Sequence, residues 1–140
     1  MIKSIITNIK ELRKPCVEAQ KGEDISAVVQ DLKDTLATQK GCGLAANQIG
    51  VQKKIAFYKI GPNEVTLINP KITDKYDKTI FTEGCLSFPG LEIKTDRYRE
   101  ITLENNNQRY GASGIEAIVI QHEVDHLNGV TIFDRKHKAR

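Results

Sequence analysis

No run of apolar residues in the 140-residue chain approaches the ~18 that cross a bilayer as a helix. The amino terminus, from Met1 to Lys14, lacks the long apolar core and small-residue cleavage site of a secretion signal. Internal repeats, low-complexity stretches and linkers are absent as well. We therefore predict a single domain over residues 1–140 that resides in the cytoplasm, with an organellar or viral origin left open.

Net charge says little about partners, whereas the cysteine content is more informative. With 21 Lys plus Arg against 18 Asp plus Glu, the net charge of +3 is too small to indicate a DNA-binding protein. The one basic cluster, residues 135–140, is interpreted as a solvated, frayed terminus; the alternative is a weak contact with an anionic partner such as RNA. Three cysteines without C-x-x-C spacing argue against a disulfide framework and predict a reducing compartment.

Apolar spacing predicts one amphipathic helix near the amino terminus. Between Asp24 and Lys40, apolar residues recur at i, i+3, i+4, i+7 and i+11, which places them on one face of a helix. Asp24 is a suitable N-cap, and Gly41 is expected to end the helix.

A second helix is predicted near the carboxyl end, and its apolar residues are not confined to one face as they are in the first helix. Residues 113–116 read Ser-Gly-Ile-Glu, the pattern of a capping box, and Gly129 stands where a glycine would end the helix. Between these points apolar residues occur around the whole circumference. A helix that is apolar on all sides is a buried central helix, so charged and imidazole groups within it need a reason to be there.

Short β-rich runs lie between the two helices. Residues 54–60 and 65–69 flank a Gly-Pro-Asn turn, and residues 99–104 and 108–112 flank three asparagines in a hairpin pattern. This order of one helix, several strands and a second helix lacks the alternation of strands and helices that a parallel sheet needs. We predict an α+β fold, with antiparallel β-sheets packed around a central buried helix and one amino-terminal amphipathic helix.

The central helix carries an H-E-x-x-H motif at His122, Glu123 and His126. The two histidines are about 40° apart around the helix axis, so both can bind one ion. Glu123 is placed beside them to handle the proton of a metal-bound water. The alternative is a pair of satisfied core histidines with a surface Glu123, which is disfavoured because burying unpartnered imidazoles is costly.

A catalytic site of this kind needs a third ligand. Downstream, the metzincin pattern would place a histidine where Ile132 stands, and only Asp134 and His137 remain as donors. Upstream, Cys85 lies in a glycine-flanked loop between predicted strands. A thiolate with two imidazoles is a sound set for a divalent metal, so Cys85 is preferred as the third ligand over a buried apolar role.

A third segment, residues 41–48, reads Gly-Cys-Gly-Leu-Ala-Ala-Asn-Gln. Its small residues permit close approach of a backbone, and the Gln48 side chain can donate to a developing oxyanion. Alone, the segment is only a glycine-punctuated connection, and it lacks the G-K-[ST] of a phosphate-binding loop.

Together, the three segments resemble the peptide deformylase family. That family carries G-x-G-L-A-A-x-Q, E-G-C-L-S and Q-H-E-x-D-H in this order, matching residues 41–48, 83–87 and 121–126. The resemblance runs from about Leu12 to Phe133. It implies a single catalytic domain, in a short form without the carboxy-terminal helix of many bacterial relatives.

The resemblance implies a metal-dependent hydrolase that removes the formyl group from the amino-terminal formylmethionine of nascent polypeptides and releases formate. Cys85, His122 and His126 would bind one metal ion, Fe(II) in the cell, with zinc or nickel able to substitute. Glu123 would act first as general base and then as general acid towards the departing amine.

Further roles follow from the same resemblance. The Gln48 side chain and the Leu86 backbone N–H would stabilise the tetrahedral oxyanion, while the peptide would pair as an added strand and place its first side chain in an apolar pocket. The implied substrate-binding residues are Cys42, Gly43, Gly84, Ile115, Ile118 and Val119. Glu83, Arg97 and Asp125 are candidates for a charge network that supports the ligands, although Asp125 could instead be a surface residue.

The expected partners are N-formylmethionyl nascent peptides, with no DNA and no membrane. Proximity to the ribosome is left open because the docking helix of bacterial relatives is absent, and size suggests a monomer. Two alternatives stay in view. One is an H-E-x-x-H endopeptidase, and the other is a metal-binding homologue that serves as an idle interaction module. The second is disfavoured because Gln48 and Glu123 are both present.

Overall fold

The computed structural model describes residues 1–138 and contains three α-helices, six β-strands and two short 3₁₀ helices. The helices are α1 (Ile9–Leu12), α2 (Ser26–Leu36) and α3 (Gly114–Leu127), and the 3₁₀ helices span Ala46–Ile49 and Ile132–Arg135. The strands are β1 (Gly43–Ala45), β2 (Ile55–Ile60), β3 (Asn63–Ile68), β4 (Lys71–Glu83), β5 (Ile93–Asn105) and β6 (Gln108–Ser113). None of the described helices is both long enough and apolar enough to cross a membrane.

The strands form two antiparallel sheets, in the orders β1-β2-β3 and β4-β5-β6. In the first sheet Phe57 of β2 pairs with Leu44 on one side and Thr66 on the other. Both sheets and α3 contribute to one core cluster, in which Tyr58, Leu103 and Ile120 are buried. The predicted α+β fold with a central helix between antiparallel sheets is therefore confirmed.

The start of α3 differs from the prediction. The Ser113 side chain makes no capping hydrogen bond, and the Glu116 carboxylate instead accepts hydrogen bonds from the Tyr58 hydroxyl (2.8 Å) and the Asn63 amide (3.3 Å). The prediction of a capping box was wrong, because the Glu116 carboxylate bonds Tyr58 and Asn63 rather than the backbone at Ser113. Ile115 is 51% exposed, so the first turn lies outside the core and only the later turns are buried.

The end of α3 follows the prediction. Gly129 has a φ of 75°, and its N–H donates to the His126 carbonyl (3.1 Å) while the Val130 N–H donates to the Asp125 carbonyl (2.8 Å). This bond pair is a Schellman motif, which satisfies carbonyls left free at a helix end. This Schellman motif turns the chain sharply three residues after His126, the last residue of the H-E-x-x-H sequence.

Helix α2 is shorter than predicted. It begins at Ser26, where the Asp24 carboxylate accepts hydrogen bonds from the Ser26 N–H (3.0 Å) and hydroxyl (2.6 Å). It ends at Leu36 rather than near Lys40, so Gly41 is not its stop. The Thr38 N–H and hydroxyl both bond back to the carbonyl three residues earlier, which tightens the last turn and ends the helix.

The predicted hairpins are present; β5 begins six residues earlier than expected, whereas the other three predicted strands differ by at most two residues at either end. The turn between β5 and β6 is formed by Asn106 and Asn107, whose φ angles of 51° and 65° suit the twist of a two-residue hairpin. Two strands, β1 and β4, were not predicted. The sequence of β4 is rich in charged residues and lies at a sheet edge, where polar side chains are tolerated on both faces.

The basic tail is ordered as far as it is described, which contradicts the predicted frayed terminus. The Arg135 guanidinium pairs with Asp125 (2.9 Å), and the His137 Nδ1 lies 2.7 Å from an Asp96 carboxylate oxygen. The His137 N–H donates to the Lys94 carbonyl, so the tail packs beside β5. Residues 139–140 of the predicted tail lie outside the described residues.

Replacing Gly129 by alanine tests the close approach after α3. A Cβ at Gly129 would overlap the Arg13 carbonyl oxygen, whereas Gly22 has a similar φ of 79° and no atom within 4 Å. Gly22→Ala is expected to lower the free energy of unfolding by about 1 kcal/mol for backbone strain. Gly129→Ala should cost about 1–3 kcal/mol more because of the added overlap. Urea unfolding of both variants measures the difference, and equal losses would contradict the close approach.

Candidate metal centre and active site

Cys85, His122 and His126 converge where the loop after β4 meets the middle of α3. The Cys85 Sγ lies 3.3 Å from the His126 Nε2, which lies 3.1 Å from the His122 Nε2. The three donor atoms all lie within 4.8 Å of one another, and no other such cluster of metal-binding side chains occurs within residues 1–138. One thiol sulfur and two imidazole nitrogens form a donor set that fits a borderline divalent metal.

The downstream donors do not approach this cluster. Asp134 accepts a hydrogen bond from the Thr131 N–H (2.9 Å) and pairs with Arg13 (3.1 Å). The His137 ring instead contacts the Asp96 carboxylate on β5. The geometry therefore favours the upstream cysteine over both alternatives considered from the sequence.

The His122 ring is held by the Glu83 carboxylate. Its Nδ1 lies 2.7 Å from the Glu83 Oε1, so an Nδ1–H donated to this carboxylate leaves Nε2 free as a metal donor. The Thr95 hydroxyl also donates to Glu83 (2.6 Å), a contact that the sequence did not suggest. Burial acts to raise the pKa of Glu83, but hydrogen bonds from Arg97 and His122 outweigh it and lower the pKa to about 2.

The Glu83 carboxylate belongs to a chain of ion pairs that crosses from the second sheet to α3. Arg97 donates from Nε (2.6 Å) and Nη2 (2.7 Å) to Glu83, and from Nη1 to Asp125 (2.6 Å). Asp125 in turn accepts two hydrogen bonds from Arg135. Asp125 is buried rather than a surface residue. Arg135 was missed because the sequence shows it only as part of a basic tail.

The Glu123 carboxylate lies beside the ligands and is almost fully buried. Its Oε1 has no hydrogen-bond partner in the part of the chain that is described. Burial is the main cause that raises the pKa of Glu123 to about 7. A Cβ on Gly43 would lie 2.5 Å from the Glu123 Oε2, so glycine at this position of β1 makes room for the carboxylate.

The Gln48 side chain reaches the same centre from the 3₁₀ helix that follows β1. Its Oε1 accepts a hydrogen bond from the Ala45 N–H (2.9 Å), and its Nε2 lies 3.6 Å from the Cys85 Sγ. The Leu86 N–H finds no acceptor among residues 1–138. A side-chain amide and a free backbone N–H next to a thiol ligand are donors that could stabilise a developing negative charge.

A cleft of about 830 Å³ opens onto these groups. It is bounded by residues 39–43, 81–86 and 88–92 and by the Ile118 and Val119 side of α3. The predicted substrate-binding residues Cys42, Gly43 and Gly84 line it as well. Its walls come from β1, from the end of β4 and from the loop that follows, all of which surround the metal-ligand cluster.

Ile115 does not line this cleft. It borders a neighbouring cavity of about 480 Å³, which shares Phe81 and Ile118 with the cleft. The resemblance grouped Ile115 with Ile118 and Val119, but Ile115 is 51% exposed at the start of α3 and lies outside the cleft. Phe81 and Leu91, which line the cleft, were missed since β4 and its following loop carry no motif at these positions.

Comparison with known proteins gives the family. The sequence model described as polypeptide deformylase matches residues 2–140. The chain belongs to the polypeptide deformylase family. The resemblance stated from the three motifs is thereby confirmed, and so is the prediction that the chain is an enzyme of the deformylase type.

Individual deformylases are similar along almost the whole chain. The peptide deformylase of Aquifex aeolicus (strain VF5) is 35% identical to this chain over an aligned length of 148 residues, gaps included. The alignment covers 96% of this chain and 88% of the relative. The crystal structure of a peptide deformylase from Legionella pneumophila has a TM-score of 0.91 at 28% identity and covers 98% of this chain and 87% of that one. A peptide deformylase from Synechococcus elongatus in complex with actinonin has a TM-score of 0.88 at 31% identity, with 98% and 79% coverage.

Membership of the deformylase family implies a divalent metal, and the Cys85, His122 and His126 cluster is the place in this chain that suits one. Burial lowers the pKa of His126 well below its ordinary value, which favours the neutral, metal-binding imidazole. Burial also acts to lower the pKa of His122, but hydrogen bonds with Cys85 and Glu83 outweigh it and raise this pKa. The donor set and its supporting carboxylate therefore agree with the chemistry that the family requires.

Replacing Arg97 tests the buried ion-pair chain of this deformylase. Arg97 is 2% exposed, so Arg97→Met leaves the buried Glu83 and Asp125 without their shared partner and should lower the free energy of unfolding by about 3–5 kcal/mol. Arg99→Met is the control, since Arg99 on the same strand is 62% exposed and pairs loosely with Asp77. The control should change stability by less than about 0.5 kcal/mol. Denaturant unfolding at matched metal content measures both, and similar small losses would contradict a structural role for the buried pairs.

Proposed function

We propose that Cys85, His122 and His126 hold one Fe(II) ion and that Glu123 transfers the proton in formyl hydrolysis. As a deformylase, the protein is a metal-dependent hydrolase that removes the formyl group from N-formylmethionyl nascent polypeptides. The observation that carries the assignment of residues is the convergence of three donor atoms within 4.8 Å beside an unpaired buried carboxylate.

The donor set is compatible with the proposed metal, and the preference for Fe(II) comes from the resemblance to the deformylase family. A bound divalent ion supplies Lewis acidity, which polarises the formyl oxygen and lowers the pKa of water. Thiolate and imidazole donors suit Fe(II), and they bind zinc or nickel at least as tightly. We propose Fe(II) as the ion in the cell and zinc or nickel as substitutes in preparations.

Glu123 handles the proton. Its unpartnered Oε1 takes a proton from the attacking water as the water oxygen forms a bond to the formyl carbon. The same carboxyl group then gives the proton to the amine nitrogen as the carbon–nitrogen bond breaks. Formate leaves, and the peptide keeps a free α-amino group.

Gln48 and Leu86 stabilise the negative charge that develops on the formyl oxygen. The Gln48 amide is oriented by the Ala45 N–H, which binds its oxygen and directs its nitrogen towards Cys85. The Leu86 backbone N–H adds a second donor from the next residue along the loop. Donors that are oriented before the reaction stabilise charge without reorganisation.

The peptide binds as an extended strand in the 830 Å³ cleft. Strand β1 lies at the edge of its sheet, so the backbone of Cys42 and Gly43 can pair with an added strand, and Gly84 faces it from the other wall. Ile118 and Val119 receive the methionine side chain. Main-chain pairing suits an enzyme that accepts many sequences after the first residue.

The cellular setting follows from the substrate. We place the protein in the cytoplasm as a monomer that meets formylated chains as they leave the ribosome. The tail segment from Arg135 is packed against α3 and β5, so nothing in its described part supports a separate contact with RNA.

Formate release from formyl-Met-Ala-Ser tests the proposed function. Iron-loaded protein prepared without oxygen should release formate, and Glu123→Gln should lower kcat by about 10²–10⁴-fold because the proton-transfer group is lost. Metal content should be unchanged, since Glu123 is not a ligand. Glu18→Gln is the control and should match wild type, since Glu18 is an exposed carboxylate that does not line the cleft.

Two outcomes would contradict the proposal. No formate from fully metallated wild type would indicate the idle interaction module. Cleavage of an internal bond in an unformylated peptide, without formate release from the formylated one, would indicate the endopeptidase.

A further inference from the structure

The Gln48 carboxamide is held at both of its ends by buried groups. Its Oε1 accepts from the Ala45 N–H (2.9 Å), and its Nε2 donates to the Ser87 hydroxyl oxygen (3.0 Å). Gln48 and Ser87 are each 1% exposed. The first bond is local, because Ala45 precedes Gln48 by three residues, whereas the second reaches across the fold to Ser87 in the loop after β4.

The chemistry of the two partners determines which way the amide faces. A backbone N–H can only donate, so the Ala45 N–H requires the amide oxygen and thereby directs Nε2 to the other side. A hydroxyl oxygen can accept, so Ser87 takes one of the two hydrogens on Nε2. The second hydrogen is left towards Cys85, whose Sγ lies 3.6 Å from Nε2.

We propose that Ser87 is a positioning residue for catalysis, which fixes the Gln48 amide so that its second N–H faces the Cys85 side of the cleft, where the reacting formyl oxygen would lie. This inference rests on the proposed role of Gln48. The terminal torsion of a glutamine side chain has a broad energy profile, so one anchor at the oxygen leaves the nitrogen free to swing. The second anchor removes that freedom before the substrate arrives, which is the condition for effective charge stabilisation.

A purely structural serine would behave differently from a positioning serine. Loss of a hydrogen bond that only stabilises the loop would lower the unfolding temperature and act on kcat independently of Gln48. Loss of a bond that acts through Gln48 should lower kcat only when Gln48 is present. The coupling between the two residues is therefore the quantity to measure.

A double-mutant cycle on the iron-loaded enzyme tests the proposal. Ser87→Ala should lower kcat for formate release by about 3- to 10-fold, the equivalent of one neutral hydrogen bond. KM should stay within about twofold and metal content should be unchanged. Gln48→Met should lower kcat by about 10²–10³-fold. Adding Ser87→Ala to Gln48→Met should cause no further loss.

Two further variants sharpen the cycle. Ser87→Thr keeps the hydroxyl and should retain kcat within about twofold of wild type. Ser4→Ala, an exposed serine in the amino-terminal segment, controls for loss of a hydroxyl elsewhere and should match wild type.

The same factor of loss for Ser87→Ala in both backgrounds would overturn the inference, and so would an unchanged kcat in Ser87→Ala alone. A Gln48→Met variant with wild-type kcat would instead overturn the role of Gln48 in the proposed function, together with the inference that rests on it. Wild-type enzyme that releases no formate would overturn the proposed function itself, so the three failures are distinguishable.

Discussion

The burial of Arg97 between two carboxylates is the constraint on which the metal centre depends. A guanidinium in the core is tolerated only when its hydrogen-bonding groups are paired, and here the partners are Glu83 at the end of β4 and Asp125 on α3. Because Arg97 itself lies on β5, the pairs join the second sheet to the central helix. Their geometry sets how far the ligand-bearing face of α3 lies from the loop that carries Cys85.

The same carboxylate serves the fold and the chemistry. Glu83 bonds the His122 ring on the side away from the other ligands, and only Gly84 separates it from Cys85. One short segment therefore orients one ligand and supplies another. Strand β1 and the 3₁₀ helix that follows it also contribute, since Gly43 leaves space for the Glu123 carboxylate and Gln48 reaches the thiol. Rigid elements on both sides hold the site, as a site that acts by positioning and charge requires.

Helix spacing and the three family motifs, which joined Cys85 to the two histidines, could be predicted from the sequence, whereas distant contacts outside those motifs could not. The spacing of His122 and His126 and the glycine after α3 are local signals, and both describe the structure well. The predicted capping box at the start of α3 is absent because the Glu116 carboxylate accepts a hydrogen bond from Tyr58 of β2 instead. The tail was misjudged because charge composition cannot show that Arg135 meets Asp125.

Zinc K-edge X-ray absorption on the zinc-loaded protein tests the ligand set most directly. One sulfur at about 2.3 Å and two imidazole nitrogens at about 2.0–2.1 Å are expected, from Cys85, His122 and His126. The sulfur shell should disappear in Cys85→Asp. A shell of nitrogen and oxygen alone in the wild-type protein would show that the ion lies elsewhere and would contradict the metal centre described here.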